Sequence, residues 1–182
     1  LEWGGIVAFM NQGKSFQQKI ITDKKGWWQF LTPCDVDGDG DIDLLAGNLG
    51  WNSRLKASPE KPVRLYYHDF DGNGKNEQIL TYYIGDRELP FANKEELQKQ
   101  LPGLKKQFLY AEDFAKADLP TLLGAENLKK ASVLSADYFS SAILINKGDM
   151  NFDVQALPWQ AQISIYKDAV VSDVNADGKP DF

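Results

Sequence analysis

The chain has one cysteine and one histidine in 182 residues. Cys34 has no second cysteine to pair with, so there is no disulfide framework, and cysteine usage is silent on redox compartment. Cys34 and His68 each stand directly before an acidic stretch, and neither has the adjacent base and orienting group that an activated nucleophile needs. Catalysis finds little support: no catalytic residue and no organic cofactor site is expected. No segment approaches the roughly 20 consecutive apolar residues of a membrane-crossing helix. Positive charge is also short, with 20 Lys and Arg against 26 Asp and Glu and a formal net charge of −6. Binding to phosphate backbones needs a basic surface, so nucleic acid is not an expected partner. Apolar residues are in good supply, at 43% with 12% aromatic, which excludes general disorder and allows one domain with a real core.

The acidity is concentrated. Asp35 to Leu45 reads DVDGDGDIDLL and places five aspartates in nine residues. Carboxylates that close repel one another and stay solvated unless a hard cation gathers them. Calcium takes six to eight oxygen ligands, and a tight loop supplies them from side chains at positions 1, 3, 5 and 9 and a backbone carbonyl at position 7. Those positions are Asp35, Asp37, Asp39, Asp43 and the carbonyl of Asp41, with Gly40 at the sharply turning position 6. One such run is also what a solvated acidic turn looks like, but the chain repeats the template twice. DFDGNGKNE supplies Asp69, Asp71, Asn73, the Lys75 carbonyl and Glu77, and DVNADGKPD supplies Asp173, Asn175, Asp177, the Lys179 carbonyl and Asp181. Gly74 and Gly178 again fill position 6. Up to three Ca2+ ions are therefore expected. The ten side-chain carboxylates in these sets account for much of the negative charge, and three Ca2+ would bring the formal total of −6 to about zero.

A helix–loop–helix calcium site also requires a bidentate Glu at position 12. That position is Ala46 in the first copy and Leu80 in the second, so that motif is excluded. Apolar, strand-like residues flank the loops instead: WWQFLTPC, VRLYYH and YKDAVVS before them, LLAG and QILTYY after the first two. The expected unit is a β-hairpin whose loop is organised by metal. The pattern D-x-[DN]-x-[DN]-G-x-x-[DE] between two strands resembles the FG-GAP or VCBS repeat, found in the propeller of integrin α chains and in many secreted bacterial proteins. FMNQGKSF and LINKGDMNF are similar to the N-x-G-x-x-F hairpin that such repeats place after the calcium strand pair. The stretch from Leu45 to Gly74 is similar to a bacterial subgroup with an irregular, insert-bearing blade. Two departures occur: Ala176 stands where the other copies have Gly38 and Gly72, and Asn76 is polar where Ile42 is apolar.

The resemblance implies an all-β fold, a partial, open β-propeller with calcium-binding hairpin loops and a small helical insertion. Three loops are too few for a closed ring of four to eight four-stranded blades, so residues 1–182 are expected to be a fragment of one propeller domain. Loop spacing is uneven, 34 residues from Asp35 to Asp69 and 104 from Asp69 to Asp173. The excess around residues 86–135 reads as mainly helical. Asn93 and Glu96 have capping-box spacing, Leu97, Leu101, Leu104 and Phe108 fall near one helical face, and Pro102 breaks or restarts the helix. Asp118 before Leu119, Pro120 and Thr121 marks another start, with Gly124 as a stop. Of Trp3, Trp27, Trp28, Trp51 and Trp159, most are expected in the core or between blades, with the rest available to a sugar or protein partner.

The function expected from the resemblance is a non-catalytic, calcium-binding module, extracellular or at the cell surface (bacterial outer membrane or secreted), that binds a protein or glycan ligand. The alternative is part of a secreted carbohydrate-processing enzyme whose active site lies partly outside this segment. Open edge strands add a possibility of self-association.

Overall fold

A computed structural model describes residues 2–182. Strand outweighs helix, 37% against 18%, and the chain is mostly β with several antiparallel sheets, none closed into a barrel. In chain order the strands are β1 (Glu2–Asn11), β2 (Phe16–Trp27), β3 (Phe30–Cys34), β4 (Asp43–Gly47), β5 (Val63–His68), β6 (Glu77–Ile84) and β7 (Arg87–Pro90). Five short helices follow, α1 (Lys94–Gln100), α2 (Leu104–Gln107), α3 (Ala111–Lys116), α4 (Leu119–Leu123) and α5 (Ala125–Lys130). The chain then forms β8 (Ser132–Ala136), β9 (Ala142–Asn146), β10 (Phe152–Ala156) and a 3-10 turn at Trp159–Gln162. These elements fall into two units, one made of residues 1–54 with 136–182, the other of Leu55–Ser135.

In the first unit the four-stranded sheet runs β10-β9-β4-β3, and β1 with β2 forms a separate ribbon. Central strands β4 and β9 are apolar without alternation because both faces of the sheet are covered. On one face Ala46, Ala142 and Leu144 pack with Ile6 and Ile21 of the ribbon and with Trp28. On the other, Leu45, Ile143 and Ile145 pack with Leu157. Strands buried on both sides read as continuous apolar runs, whatever their direction. The link from β4 to β9 spans the whole second unit, and buried side-chain amides brace its ends. Asn48 accepts the Trp27 N–H (2.9 Å) and donates to the Tyr138 carbonyl (3.0 Å). Gln162, fully buried, accepts the Ser141 N–H and donates to the carbonyls of Ser141 and Leu157. Gly50 has φ +76°, and a Cβ there would stand 2.5 Å from the Gln162 carbonyl oxygen, so this close approach is open only to glycine.

The second unit has the sheet β7-β6-β5-β8 and a core shared by sheet and helices: Phe70 and Ile79 with Leu97, Leu101, Leu104, Phe108, Leu119, Leu122 and Leu123. Helix starts follow local chemistry. Asn93 and Glu96 exchange side-chain to backbone hydrogen bonds at the head of α1, and the Asp118 side chain accepts the Thr121 N–H at the head of α4. The chain leaves helical geometry at Leu101, just before Pro102, and restarts as α2. On the sheet, Glu88 accepts from Arg64 (2.5 Å), Tyr66 (3.2 Å) and Thr81 (2.7 Å). Burial, then the neighbouring Glu88 carboxylate, push the Tyr66 phenol up to about 12.

Candidate metal centre

Each of the first two acidic segments connects paired antiparallel strands. Cys34 is paired with Asp43 where β3 and β4 meet the first loop, and His68 with Glu77 where β5 and β6 meet the second. The third is closed by a single bridge between Ser172 and Asp181. Burial of Cys34, then the charge of Asp43, raises its thiol pKa, and the side chain packs against the cluster of Leu45, Ile143 and Ile145.

The three loops share one internal scaffold. The carboxylate at position 1 accepts the N–H of position 6: Asp35 from Gly40 (3.1 Å), Asp69 from Gly74 (2.8 Å) and Asp173 from Gly178 (2.8 Å). Position 5 accepts from position 7: Asp39 from Asp41, Asn73 from Lys75, and Asp177 from Lys179. Position 9 reaches back to position 2: Asp43 to Val36 (2.8 Å), Glu77 to Phe70 (2.9 Å) and Asp181 to Val174 (2.9 Å). Positions 4 and 6 are both left-handed in every loop, with φ of 74° and 90° at Gly38 and Gly40, 73° and 83° at Gly72 and Gly74, and 59° and 84° at Ala176 and Gly178. The role of position 4 was missed from sequence, although Gly38 and Gly72 signal it. Ala176 pays a steric cost there that glycine avoids.

Two groups of acids converge. Carboxylate oxygens of Asp35, Asp37 and Asp39 lie within 4.8 Å of one another, as do those of Asp69, Asp71 and Glu77. Two oxygens that each sit about 2.4 Å from one calcium are at most about 4.8 Å apart, so both groups fit a metal ion. The first group does not contain Asp43, whereas the second contains Glu77 at the same position. Glu77 has an extra methylene, so it joins Asp69 and Asp71 while still accepting the Phe70 N–H. Asp43 is fully buried, and its second oxygen accepts the Asn146 N–H of β9 (2.8 Å). In the third loop Asn175 replaces an acid and its amide donates to Asp177 (3.2 Å); among the described residues this loop forms no group of three acids. Asp41, Lys75 and Lys179, placed for their carbonyls, have exposed side chains. A further residue that sequence reasoning missed is Lys147, whose ammonium lies 3.5 Å from Asp37.

No family model, curated protein or solved structure matches this chain. Trp28 is buried, Trp3 and Trp27 are half-buried and stack edge to face, and Trp51 and Trp159 are 48% and 61% exposed. Among the described residues no helix is long and apolar enough to cross a membrane.

Proposed function

We propose that the chain is a calcium-stabilised, non-catalytic binding module of the FG-GAP or VCBS propeller type, working outside the cell or at its surface on a protein or glycan ligand. The observation that carries this reading is the threefold scaffold: three loops far apart in sequence share three hydrogen bonds and two left-handed positions. The ligands are Asp35, Asp37, Asp39, Asp43 and the Asp41 carbonyl; Asp69, Asp71, Asn73, Glu77 and the Lys75 carbonyl; and Asp173, Asn175, Asp177, Asp181 and the Lys179 carbonyl. An all-oxygen donor set of this kind suits calcium and not a thiolate- or imidazole-seeking metal. The bound ion would neutralise carboxylates that otherwise repel, so its work is structural.

Strand order supports the blade reading. The sheet β10-β9-β4-β3 joins an acidic-loop hairpin to an Asn-turn hairpin, with the second unit carried between them as an insertion. Exposed Trp51 and Trp159 supply aromatic faces for a ligand. The test is binding of glycan arrays and cell-surface proteins to the chain with and without calcium. Binding that depends on calcium and is lost in Trp159→Ala supports the module; turnover of a glycan by the chain would favour the carbohydrate-processing alternative.

A further inference from the structure

We infer that the Asn73–Gly74 pair of the second acidic loop is a site of spontaneous deamidation guarded by the bound metal, a step that rests on the calcium reading of that loop.

Asn73 is the only asparagine of the chain that is followed by glycine. A side chain on the following residue hinders attack of its backbone nitrogen on the asparagine amide, and glycine has none. Both residues are exposed, and Gly74 is left-handed at φ 83°. The reaction needs only water. The Gly74 nitrogen gives up its proton and bonds to Cγ of Asn73, the bond from Cγ to the side-chain nitrogen breaks, and ammonia leaves. Water then opens the resulting succinimide. Attack at Cγ leaves an aspartate. Attack at the main-chain carbonyl leaves an isoaspartate, whose backbone runs through the former side chain.

The closed loop opposes the first step. The Gly74 N–H donates to the Asp69 carboxylate (2.8 Å), so its proton is held beside a negative charge. The Asn73 side-chain oxygen accepts the Lys75 N–H (2.8 Å), and the Asn73 N–H donates to Asp69 (3.0 Å) and Asp71 (3.2 Å). Ring closure must give up the bond between Gly74 and Asp69, so it proceeds from a locally opened loop. Without metal, the carboxylates of Asp69, Asp71 and Glu77, whose oxygens lie within 4.8 Å of one another, repel and favour that opening. A metal that binds only the closed loop has the reverse effect, and at free calcium about 100 times Kd the open fraction falls about 100-fold.

The two products act in opposite directions. Position 5 is Asp39 in the first loop and Asp177 in the third, and these accept the position-7 N–H at 2.8 Å and 2.9 Å, as Asn73 does. Aspartate at position 73 therefore fits the shared scaffold and adds a charged ligand. Isoaspartate lengthens the backbone there and shortens the side chain, so the ligands on either side lose their register. A chain left without calcium ages at this loop, into one form that holds the metal more tightly and another that has lost the site.

The full chain is incubated at neutral pH in excess calcium or in chelator, and the proteolytic fragment carrying residue 73 is followed by mass spectrometry. Fragmentation locates the change and separates aspartate from isoaspartate. Aspartates that precede glycine, such as Asp71, close the same ring by losing water and regain it on opening, so a mass gain reports asparagine alone. The expected result is a gain of one mass unit at residue 73, at least about tenfold slower in calcium, and no gain in Asn73→Gln. By calorimetry, Asn73→Asp should bind calcium at the second loop about tenfold more tightly, because ligand charge tunes affinity. Conversion at Asn76 in place of Asn73 overturns the inference. So does retention of Asn73 in chelator under conditions that convert a synthetic Asp69–Glu77 peptide. Equal rates in the two media overturn it and leave the metal reading intact if the chain binds calcium; equal rates in a chain that takes up no calcium bring down both.

Discussion

Replacing Asp43 by alanine separates the mechanical from the ligand role of the position-9 acid. The Asp43 side chain is fully buried, and its two oxygens accept the N–H groups of Val36 and Asn146, both at 2.8 Å. Hydrogen bonds to a charged group contribute about 1.5–3 kcal/mol each, so losing both costs about 3–6 kcal/mol and leaves two backbone donors unpaired. That is a large share of a typical 5–15 kcal/mol total. The exposed Asp41 side chain has no comparable task, since only its carbonyl is placed as a ligand, and Asp41→Ala should stay within about 0.5 kcal/mol. Urea titrations of both variants, in calcium and in chelator, provide the comparison. Asp43→Ala should be far less stable in either medium, and the gap should widen in calcium because loop geometry is lost along with a ligand. Equal midpoints for the two variants would refute both the ligand assignment and the account of how the loop is tied to the sheet.

Ala176→Gly should stabilise the third loop by about 1 kcal/mol, because it removes a left-handed alanine at φ 59°; a thermal melt that moves down would contradict the strain argument. Gln162→Leu should cost about 2–4 kcal/mol, read from urea unfolding, because the Ser141 N–H and the carbonyls of Ser141 and Leu157 lose their buried partner. Tyr66 has a phenol pKa raised from 10.0 to about 12 by burial and then by Glu88. A raised folded-state pKa means the contribution is complete below pH 10 and is lost as pH climbs toward 12. Unfolding free energy should therefore fall between these two pH values, by an amount reduced by the partial exposure of the side chain, and Tyr66→Phe should flatten that part of the profile.

What the residues announced and what they concealed divides along sequence distance. The acidic loops were legible because their hydrogen bonds close within nine residues, and the strands flanking the first two because their apolar runs are short and bounded by those loops; YKDAVVS, read as a strand before the third loop, contributes only the Ser172–Asp181 bridge. Helix starts at Asn93 and Asp118 were legible for the same reason, since a cap is satisfied three residues on. Pairing of β4 with β9 was not, because Leu45 and Ile143 are 98 residues apart and nothing local encodes that register. Asn48 and Gln162 were concealed likewise: a polar residue in an irregular segment looks like surface until its partners, Tyr138 and Ser141, are brought to it. The leucines of the helical stretch complete a core with Phe70 of the second acidic loop and Ile79 of β6, which the helical spacing alone did not announce. Position 4 of the loops escaped because glycine there resembles ordinary turn composition, and only the left-handed φ of Ala176 reveals that the backbone demands it.

Calorimetric titration of the chelator-treated chain with calcium measures the metal binding on which the proposed function rests. At free calcium about 100 times Kd each site adds about 2.7 kcal/mol of stability, so the melting temperature should rise in step with occupancy. Heat should saturate at three ions per chain, with magnesium a weak competitor because it demands closer, near-octahedral oxygens. Asp69→Asn, which alters the second loop alone, should remove one ion from that stoichiometry. A stoichiometry near zero, with a melting temperature indifferent to calcium, would mean that the three loops are solvated turns held by their own hydrogen bonds, and the proposed function would fall with them.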